Sequence, residues 1–131
     1  MEVKSINPWN WQEGFGFAHA TEISGMSRIL TLSGQCATGP DGAPQHLHDM
    51  KGQLRLTMEN LGRVLADAGM NYTNVAGIRV YTTDIDATLA NWGEVVGPFN
   101  TLGHRPASAL VQVSRLFSPD LLVEIEATAY A

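Results

Sequence analysis

The chain has 131 residues, a net charge of −5 and one cysteine; 44% of its residues are hydrophobic and 16% are charged. This length is enough for one domain with a sizeable core, without disulfide or metal staples. Nucleic acid is not an expected partner, because the chain is acidic and has no run of lysines and arginines to bind phosphates.

The single cysteine and the first residues of the chain indicate in which cellular compartment the protein is expected. Cys36 has no second cysteine with which to form an internal disulfide, which favours a reducing compartment. Residues 1–11 lack the basic and apolar stretches of a signal peptide, and no window has the apolar length of a membrane span. We therefore expect a cytoplasmic protein with no membrane partner. The absence of repeats and linkers predicts one domain over residues 1–131.

The first third of the chain predicts two strands. Residues 1–14 are expected to be irregular, since they contain a proline and two tryptophans. Phe15–Ile23 is predicted as the first strand and Arg28–Ser33 as the second, separated by a glycine turn. A loop rich in glycine, proline and aspartate follows through Pro44.

The next segment predicts an amphipathic helix from Asp49 to about Ala68. Asp49 is a suitable N-cap residue, and Gly69 is suited to ending the helix. The apolar residues recur at helical spacing and form one stripe: Leu54, Met58, Leu61, Leu65 and Ala68.

The C-terminal half predicts a strand, a helix and two further strands. Val75–Thr83 is rich in β-branched and aromatic residues, which favours a strand. A second helix is predicted to open at Asp84–Asp86, with Leu89, Trp92, Val96 and Phe99 on its apolar side. Ala107–Arg115 and Leu121–Tyr130 are predicted strands. The order β-β-α-β-α-β-β predicts an α+β fold in which one mixed sheet carries both helices on one face.

The last two predicted strands each have an apolar and a mixed face. In the final strand, Leu121, Val123, Ile125, Ala127 and Ala129 share one face, and Leu122, Glu124, Glu126, Thr128 and Tyr130 share the other. In the preceding strand, Ala109, Val111 and Val113 oppose Ser108, Leu110, Gln112 and Ser114. We expect the apolar faces to meet the helices. The mixed faces suit a subunit interface that also lines a polar cavity.

Several segments resemble the Rid (reactive intermediate deaminase), or YjgF-type, family. The family pattern has a Pro-Ala-Arg-Ser-like start, a strand and, after a short gap, Ile-Glu-Ile-Glu-Ala; Arg105–Leu116 and Val123–Ala127 are similar to it. Further matches are Ser33-Gly34-Gln35, Asn60-Leu61 and the Val-Tyr-Thr-Thr-Asp run of residues 80–84. Together these segments extend over nearly the whole chain.

The resemblance implies a homotrimer of chorismate-mutase-like subunits with small-molecule clefts between them. It also implies hydrolysis of reactive enamines and imines, such as 2-aminoacrylate, to a keto acid and ammonia. No cofactor and no metal are expected. On this basis the expected partners are a small-molecule ligand and two further copies of the chain.

The resemblance also assigns site residues. Glu124 takes the position of the glutamate near the catalytic water, and Asn91 takes that of an asparagine lining the cleft. Two positions depart from the pattern. Phe17 replaces a tyrosine, and Ser108 replaces the arginine that clamps the substrate carboxylate. Ser108 is expected to contact the ligand, since no histidine stands in a recognisable relation to make it a nucleophile.

Arg105 and His19 are further candidates for the cleft. Arg105 precedes Ser108 by three residues and would supply a guanidinium if it turned toward the same space, although Pro106 restricts the chain direction. His19, near the family's cleft, is expected either to contact the ligand or to make a structural hydrogen bond. His46, His48 and Asp49 form a cluster that suits either a metal or, through Asp49, a helix cap.

Three functional hypotheses follow from these residues. The first is a divergent enamine or imine deaminase whose substrate is not a simple 2-aminoacrylate-like acid. The second is a non-catalytic, small-molecule-binding or regulatory trimer. The third is a chaperone-like trimer that acts through exposed apolar surface.

Overall fold

The fold contains six strands and three α-helices, and the computed structural model describes all of residues 1–131. In chain order they are β1 (Glu2–Ile6), β2 (Ala20–Ser24), β3 (Ile29–Cys36), α1 (Met50–Asp67), β4 (Val75–Thr82), α2 (Ile85–Ala90), α3 (Gly93–Thr101), β5 (Ala107–Gln112) and β6 (Val123–Tyr130). Strands β3, β6, β4 and β5 form a mixed sheet in that spatial order, and β1 pairs with β2 in a separate hairpin. The predicted mixed sheet with helices on one face is confirmed.

The path of the chain through the sheet explains its mixed character. Strands β4 and β5 are parallel, so their connection must cross over the sheet, and α2 and α3 make this crossover. Strand β6 lies between β3 and β4 and is antiparallel to both. The residues of β6, among them the predicted site residue Glu124, are therefore fixed by hydrogen-bonded neighbours on both sides.

Helix α1 matches its prediction closely. The Asp49 side chain accepts a hydrogen bond from the Gly52 backbone N–H at 2.9 Å, as an N-cap should. Gly69 follows the helix with a φ of 73°, a conformation that favours glycine. Leu54, Met58, Leu61 and Leu65 are fully or nearly fully buried and form the core with apolar residues of β4, β6 and α3.

The single second helix predicted from Asp84 is wrong, because the segment forms two short helices. Asp84 caps α2 as predicted, its side chain accepting from the Ala87 backbone N–H at 3.0 Å. The break comes at Asn91, whose Nδ2 donates to the Ala87 carbonyl at 2.9 Å. Trp92 separates the two helices, and its indole Nε1 donates to the Phe15 carbonyl at 2.8 Å.

The predicted irregular start is also wrong, since Glu2–Ile6 is strand β1 and pairs with β2. Every residue of β1 is exposed, so the strand lacks the apolar alternation by which a strand is recognised. The strand predicted from Phe15 begins at Ala20, because Glu13–Phe15 form a 3₁₀ turn. Ala18 connects this region to the sheet through a bridge to Ala107.

The two C-terminal strands differ in how well their faces were predicted. In β6 the apolar face is buried against the helices, as expected. In β5 the prediction is reversed. Ser108, Leu110 and Gln112 are in register with Ile78, Val80 and Thr82, the helix-facing residues of β4, and Leu110 packs on the core. Val111 instead lies on the open face, 43% exposed. Strand β5 lies at the edge of the sheet. An apolar residue such as Val111 can remain exposed there, because the surface of a folded protein also contains many apolar side chains.

A buried glutamine connects α1 to the start of β6. The fully buried Gln53 donates from Nε2 to the Asp120 carbonyl at 2.8 Å and to the His46 carbonyl at 3.3 Å. Its Oε1 accepts from the Leu122 backbone N–H at 2.8 Å. These bonds satisfy backbone groups in the loops on either side, which buried polar groups require. No helix of the structure is both long and apolar enough to cross a membrane.

Gln53→Leu should lower the free energy of unfolding by about 2–4 kcal/mol, since it leaves several backbone groups without partners. Urea denaturation of purified protein measures this loss. Gln45→Leu is the matched control, because Gln45 is exposed, and it should change stability by less than about 0.5 kcal/mol. Equal stability of the two variants would contradict the role of Gln53.

Candidate functional site

Glu124 lies on the open face of the sheet, in register with Cys36 of β3 and Tyr81 of β4. The Cys36 Sγ donates a hydrogen bond to Glu124 Oε1 at 3.4 Å. A Cβ placed on Gly34 would come within 2.5 Å of Glu124 Cδ. The carboxylate therefore occupies space that only glycine leaves open at position 34. A register shift between Leu32 and Gln35 places Gly34 in an irregular part of β3.

Cys36 is a protonated thiol in this setting. The residue is 5% exposed, and burial, followed by the charge of Glu124 and their hydrogen bond, raises the pKa of the thiol to about 12. At neutral pH the thiol is therefore a donor to the carboxylate and not a thiolate nucleophile. The sequence offered no signal for this contact, because Cys36 and Glu124 are 88 residues apart.

The open face carries a second polar cluster next to Glu124. Tyr81 Oη donates to Glu126 Oε1 at 2.6 Å, and Arg79 Nη1 lies 3.7 Å from the same oxygen. The hydrogen bond to Glu126 is the main cause that raises the pKa of Tyr81. Arg79 and Glu126 line an open cavity of about 430 Å³ together with Thr31, Thr128, Tyr130, Ser108 and neighbouring backbone. Both carboxylates of the Glu-x-Glu pair are thus on the open face, as the alternation predicted.

A separate cavity of about 240 Å³ lies on the other side of β5, and we call it the aromatic pocket. Its lining residues are Trp11, Phe15, Phe17, Leu89, Trp92, Ser108 and Leu110. They come from the N-terminal segment, α2, the break before α3, and β5. The bond from Trp92 to the Phe15 carbonyl and a backbone bond from Ala18 to Pro106, 3.1 Å long, connect these segments.

Ser108 and Phe17, the two residues that depart from the family pattern, both line the aromatic pocket. Ser108 also lines the larger cavity, so its position adjoins both spaces. The remaining pocket residues were not predicted as site residues. For Trp11 and Phe15 the only sequence signal was the dense aromatic content of residues 9–17, which is equally typical of a core, and Leu89 and Trp92 were predicted only as part of an apolar helix face.

Two other candidates lie outside the aromatic pocket. Arg105 donates from Nη1 to the Glu13 carbonyl at 3.3 Å, which directs its guanidinium to the N-terminal turn and not to Ser108. Asn91 does not line the pocket, and its amide donates to the Ala87 carbonyl within α2. In this conformation neither side chain replaces the missing carboxylate clamp.

His19 packs among aromatic rings and does not line the aromatic pocket. Its ring centroid lies 5.1 Å from that of Trp9, 5.0 Å from Trp11 and 5.8 Å from Phe17, each in an edge-on arrangement. Its Nε2 is buried and has no hydrogen-bond partner within the chain. His19 thus supports the wall behind Phe17.

The cluster of His46, His48 and Asp49 is a helix start. Asp49 caps α1, and His46 Nδ1 is 3.8 Å from Asp49 Oδ2. Both histidines have positive φ angles, 53° and 60°, in the tight loop before the helix. No three metal-binding side chains of this chain lie close enough together to hold an ion.

Glu124 and Ser108 lie on opposite faces of the sheet. Glu124 is in register with Tyr81 on the open face, whereas Ser108 is in register with the buried Ile78 on the helix-facing side. Successive residues of a strand point to opposite faces, so the two side chains do not converge within one subunit.

Comparison with known proteins identifies the family. The family model described as Endoribonuclease L-PSP matches residues 16–131. The chain is a member of the YjgF/RutC/Rid family. This Rid protein is 35% identical over 103 residues to the RutC family protein PH0854 of Pyrococcus horikoshii, covering 78% of the chain and 79% of that relative. It is 34% identical over 130 residues to Protein DfrA of Myxococcus xanthus, covering 98% and 96% of the two chains.

Solved structures of Rid proteins have the same fold. The Rid protein YyfB of Yersinia pestis, whose function is unknown, superimposes with a TM-score of 0.91 at 33% identity over the whole of both chains. Escherichia coli TdcF with bound serine gives a TM-score of 0.69 at 28% identity, covering 88% of this chain and 87% of TdcF. The predicted family and fold class are thereby confirmed.

Cys36 should react with iodoacetamide about a thousandfold more slowly in the folded protein than in urea at pH 8.5. The reason is that a pKa of about 12 leaves few thiolates, whereas an unperturbed thiol is about half ionised there. Mass spectrometry of the alkylated protein measures both rates. Glu124→Gln removes the charge that disfavours the thiolate, so alkylation of the folded variant should be faster. Equal rates in folded and unfolded protein would contradict the buried, protonated thiol.

Proposed function

We propose that this Rid protein hydrolyses a small reactive imine or enamine to a carbonyl compound and ammonia. Water adds to the carbon of the C=N bond, the C–N bond of the resulting carbinolamine breaks, and no oxidant or reductant is needed. The observation that carries the proposal is the seating of the Glu124 carboxylate over Gly34 with a neutral thiol as donor. Family membership supports the same reaction class.

Glu124 is suited to move the protons of this reaction. A carboxylate held by one hydrogen bond keeps free lone pairs with which to accept a proton from the attacking water. The same group, once protonated, can return the proton to the departing nitrogen. An enamine would first be protonated at carbon, which gives the imine. The neutral thiol of Cys36 orients the carboxylate without adding a competing charge.

The proposed cleft lies between subunits of a homotrimer. Its support within the chain is that Glu124 and Ser108 lie on opposite faces of one sheet, so a site containing both needs a second copy. The open face around Tyr81 and Glu126 has the mixed polarity of an interface that also lines a cavity. The lone thiol accords with a cytoplasmic location, which belongs to the same proposal.

The substrate of the proposed reaction is not a simple 2-aminoacrylate-like acid. A guanidinium that clamps a carboxylate in a partly desolvated site is worth about 2–5 kcal/mol when it is removed. Ser108 stands at that position, and Arg105 is bonded to the Glu13 carbonyl. A substrate that depends on such a clamp would therefore lose about 30-fold to several-thousand-fold in rate.

The second candidate function is binding without turnover. The departure at Ser108 favours it, because the residue that defines the usual deaminase site is absent. The structure of TdcF contains a bound serine, so a protein of this fold can hold a small polar ligand. RNA cleavage is not proposed despite the name of the family model, since the net charge of −5 disfavours a polyanion.

Glu124→Gln should lower ammonia release from enzymatically generated imines by about 10²–10⁴-fold, the usual contribution of a general acid or base. The substrates are uncharged imines made from amines by amine oxidases and 2-imino acids made from amino acids by amino-acid oxidases. The ammonia released is corrected for spontaneous hydrolysis. Full activity of Glu124→Gln would rule out its proposed role. An inert wild type together with an active Ser108→Arg variant would favour the binding function instead.

Gly34→Ala should cost activity but little stability. The new Cβ would meet the flexible end of Glu124, which moves aside more easily than backbone and thereby loses its position. We expect at least a tenfold loss in kcat, since small displacements of a catalytic group are costly. Gly97→Ala is the matched control, because a Cβ there meets nothing within 4 Å, and it should retain wild-type activity. If both variants behave alike, the close packing at Gly34 has no functional importance.

A further inference from the structure

We propose that the aromatic pocket binds the aromatic ring of an uncharged imine, so that the substrate class is the imines of arylalkyl amines. The part of this inference that concerns hydrolysis rests on the function proposed above, whereas the part that concerns binding of an aromatic ring rests on the pocket alone. Four features of the pocket carry it: composition, size, ring geometry and the nature of its single polar group.

The composition of the pocket is almost wholly apolar. Six of its seven lining residues are hydrophobic, and four of these are aromatic. Trp11, Phe15 and Leu89 are 60%, 45% and 43% exposed, which leaves a large apolar surface in water next to a concave site. Covering such surface with an apolar ligand is favourable at about 25 cal/mol per Å². Pockets of this composition with one oriented polar group are typical of small-molecule sites.

The size of the pocket fits a ring. Its volume is about 240 Å³. A cavity of about 150 Å³ lined by aliphatic and aromatic side chains is enough to bind benzene. The additional space would hold a short side chain and an imine group. A ligand with only a methyl or hydroxymethyl group in place of the ring would leave most of the pocket filled with water that makes few hydrogen bonds.

The aromatic rings of the pocket are already arranged so that they can contact the ring of a ligand. Trp11 meets Phe15 and Phe17 edge-on, with centroids 6.4 Å and 5.8 Å apart. Rings prefer such T-shaped or offset contacts at about 4.5–7 Å, so the uncovered ring surfaces offer the same contacts to a ligand ring. The bond from the Trp92 indole to the Phe15 carbonyl connects two walls of the pocket and limits the entropy lost on binding.

The polar end of the ligand is defined by Ser108. Ser108 is the single polar residue of the aromatic pocket, and the residue also lines the larger cavity that contains Arg79 and Glu126. A hydroxyl donates one hydrogen bond and accepts others, which suits a neutral imine or carbonyl oxygen but does not neutralise a carboxylate. Arg105 gives no charge there, because it is bonded to the Glu13 carbonyl. A ligand with a ring in the pocket therefore needs an uncharged group at Ser108.

The binding test uses phenylacetone, a stable ketone that resembles the product, with acetone as the control ligand. The chain has three tryptophans, and Trp11 and Trp92 line the pocket whereas Trp9 does not. In ¹H–¹⁵N spectra of the full-length protein, the indole signals of Trp11 and Trp92 should shift saturably with phenylacetone, and that of Trp9 should shift least. Acetone should cause no saturable shift. Absence of saturation with phenylacetone, as expected if a second copy fills the pocket, overturns the inference.

A matched pair of variants tests the location. Leu89→Ala removes one pocket wall and should weaken phenylacetone binding about three- to tenfold, the loss expected for a few buried carbon atoms. Leu102→Ala is the control, because Leu102 is similarly exposed at 49% but lies outside the pocket, and it should bind like the wild type. Equal weakening in both variants, or in neither, contradicts the assigned site.

The turnover test compares four imines that differ in ring and charge. They are 2-phenylethanimine and ethanimine, made from the amines, and 2-imino-3-phenylpropanoate and 2-iminopropanoate, made from the amino acids. We expect kcat/KM to be highest for 2-phenylethanimine, by at least about tenfold over ethanimine. Ser108→Arg should shift preference toward the two acids.

The outcomes separate this inference from the proposed function. Phenylacetone binding without turnover of any imine would retain the aromatic ligand site and remove the hydrolase. Turnover that depends on Glu124 but shows no preference for a ring would retain the hydrolase and remove the aromatic substrate class. A higher rate on 2-iminopropanoate than on 2-phenylethanimine in the wild type also overturns the inference.

Discussion

The arrangement of the site depends on the central position of strand β6. It is hydrogen-bonded to β3 on one side and β4 on the other, so a shift by one residue would disturb two ladders at once. Its alternate residues Val123, Ile125, Ala127 and Ala129 are buried under α1. Because a strand alternates its faces, this burial forces Glu124 and Glu126 onto the open side. The core thus positions the acid without any contact to it from the helices.

The open face then decides what each carboxylate does. Glu126 accepts a short hydrogen bond from Tyr81 at Oε1, and Arg79 lies near the same oxygen. Glu124 has one weak donor, Cys36, and the space above Gly34. A carboxylate with free lone pairs in a half-buried position is the more useful proton acceptor. The difference between two glutamates on one strand therefore arises from their neighbours on β3 and β4.

The two positions at which this Rid protein departs from the family pattern act together. Phe17 and Ser108 both line the aromatic pocket, and the nearby Arg105 is bonded to the N-terminal turn. Relative to the family pattern, the pocket lacks a tyrosine hydroxyl and a guanidinium, and six of its seven lining residues are hydrophobic. Trp11, Phe15 and Trp92 line the same pocket, so both positions lie among aromatic side chains. Glu124 matches the family pattern, whereas the two positions that line the pocket do not.

The sequence by itself determined the features that depend on local periodicity. The stripe of α1, its Asp49 cap and the alternation of β6 were all predicted, because each element packs one face on the core. The match of the Rid pattern also located Glu124 and the changes at Phe17 and Ser108. Strand β1 was not predicted, since all its residues are exposed. The break at Asn91 was not predicted either, because the apolar pattern continues through it and only the hydrogen bond from the Asn91 side chain to the Ala87 carbonyl marks the end of α2.

Only the tertiary structure decided the face of β5 and the composition of the two sites. The register of β5 against β4 turns Ser108 and Leu110 to the helix side, whereas the local pattern of alternating apolar residues is compatible with either face. The aromatic pocket joins residues 11–17 to residues 89–110, and the Glu124 site joins residues 34–36 to residue 124. Periodicity reports which residues of one element share a face. It carries no information on which distant element meets that face, because pairing and packing across the sheet make that choice.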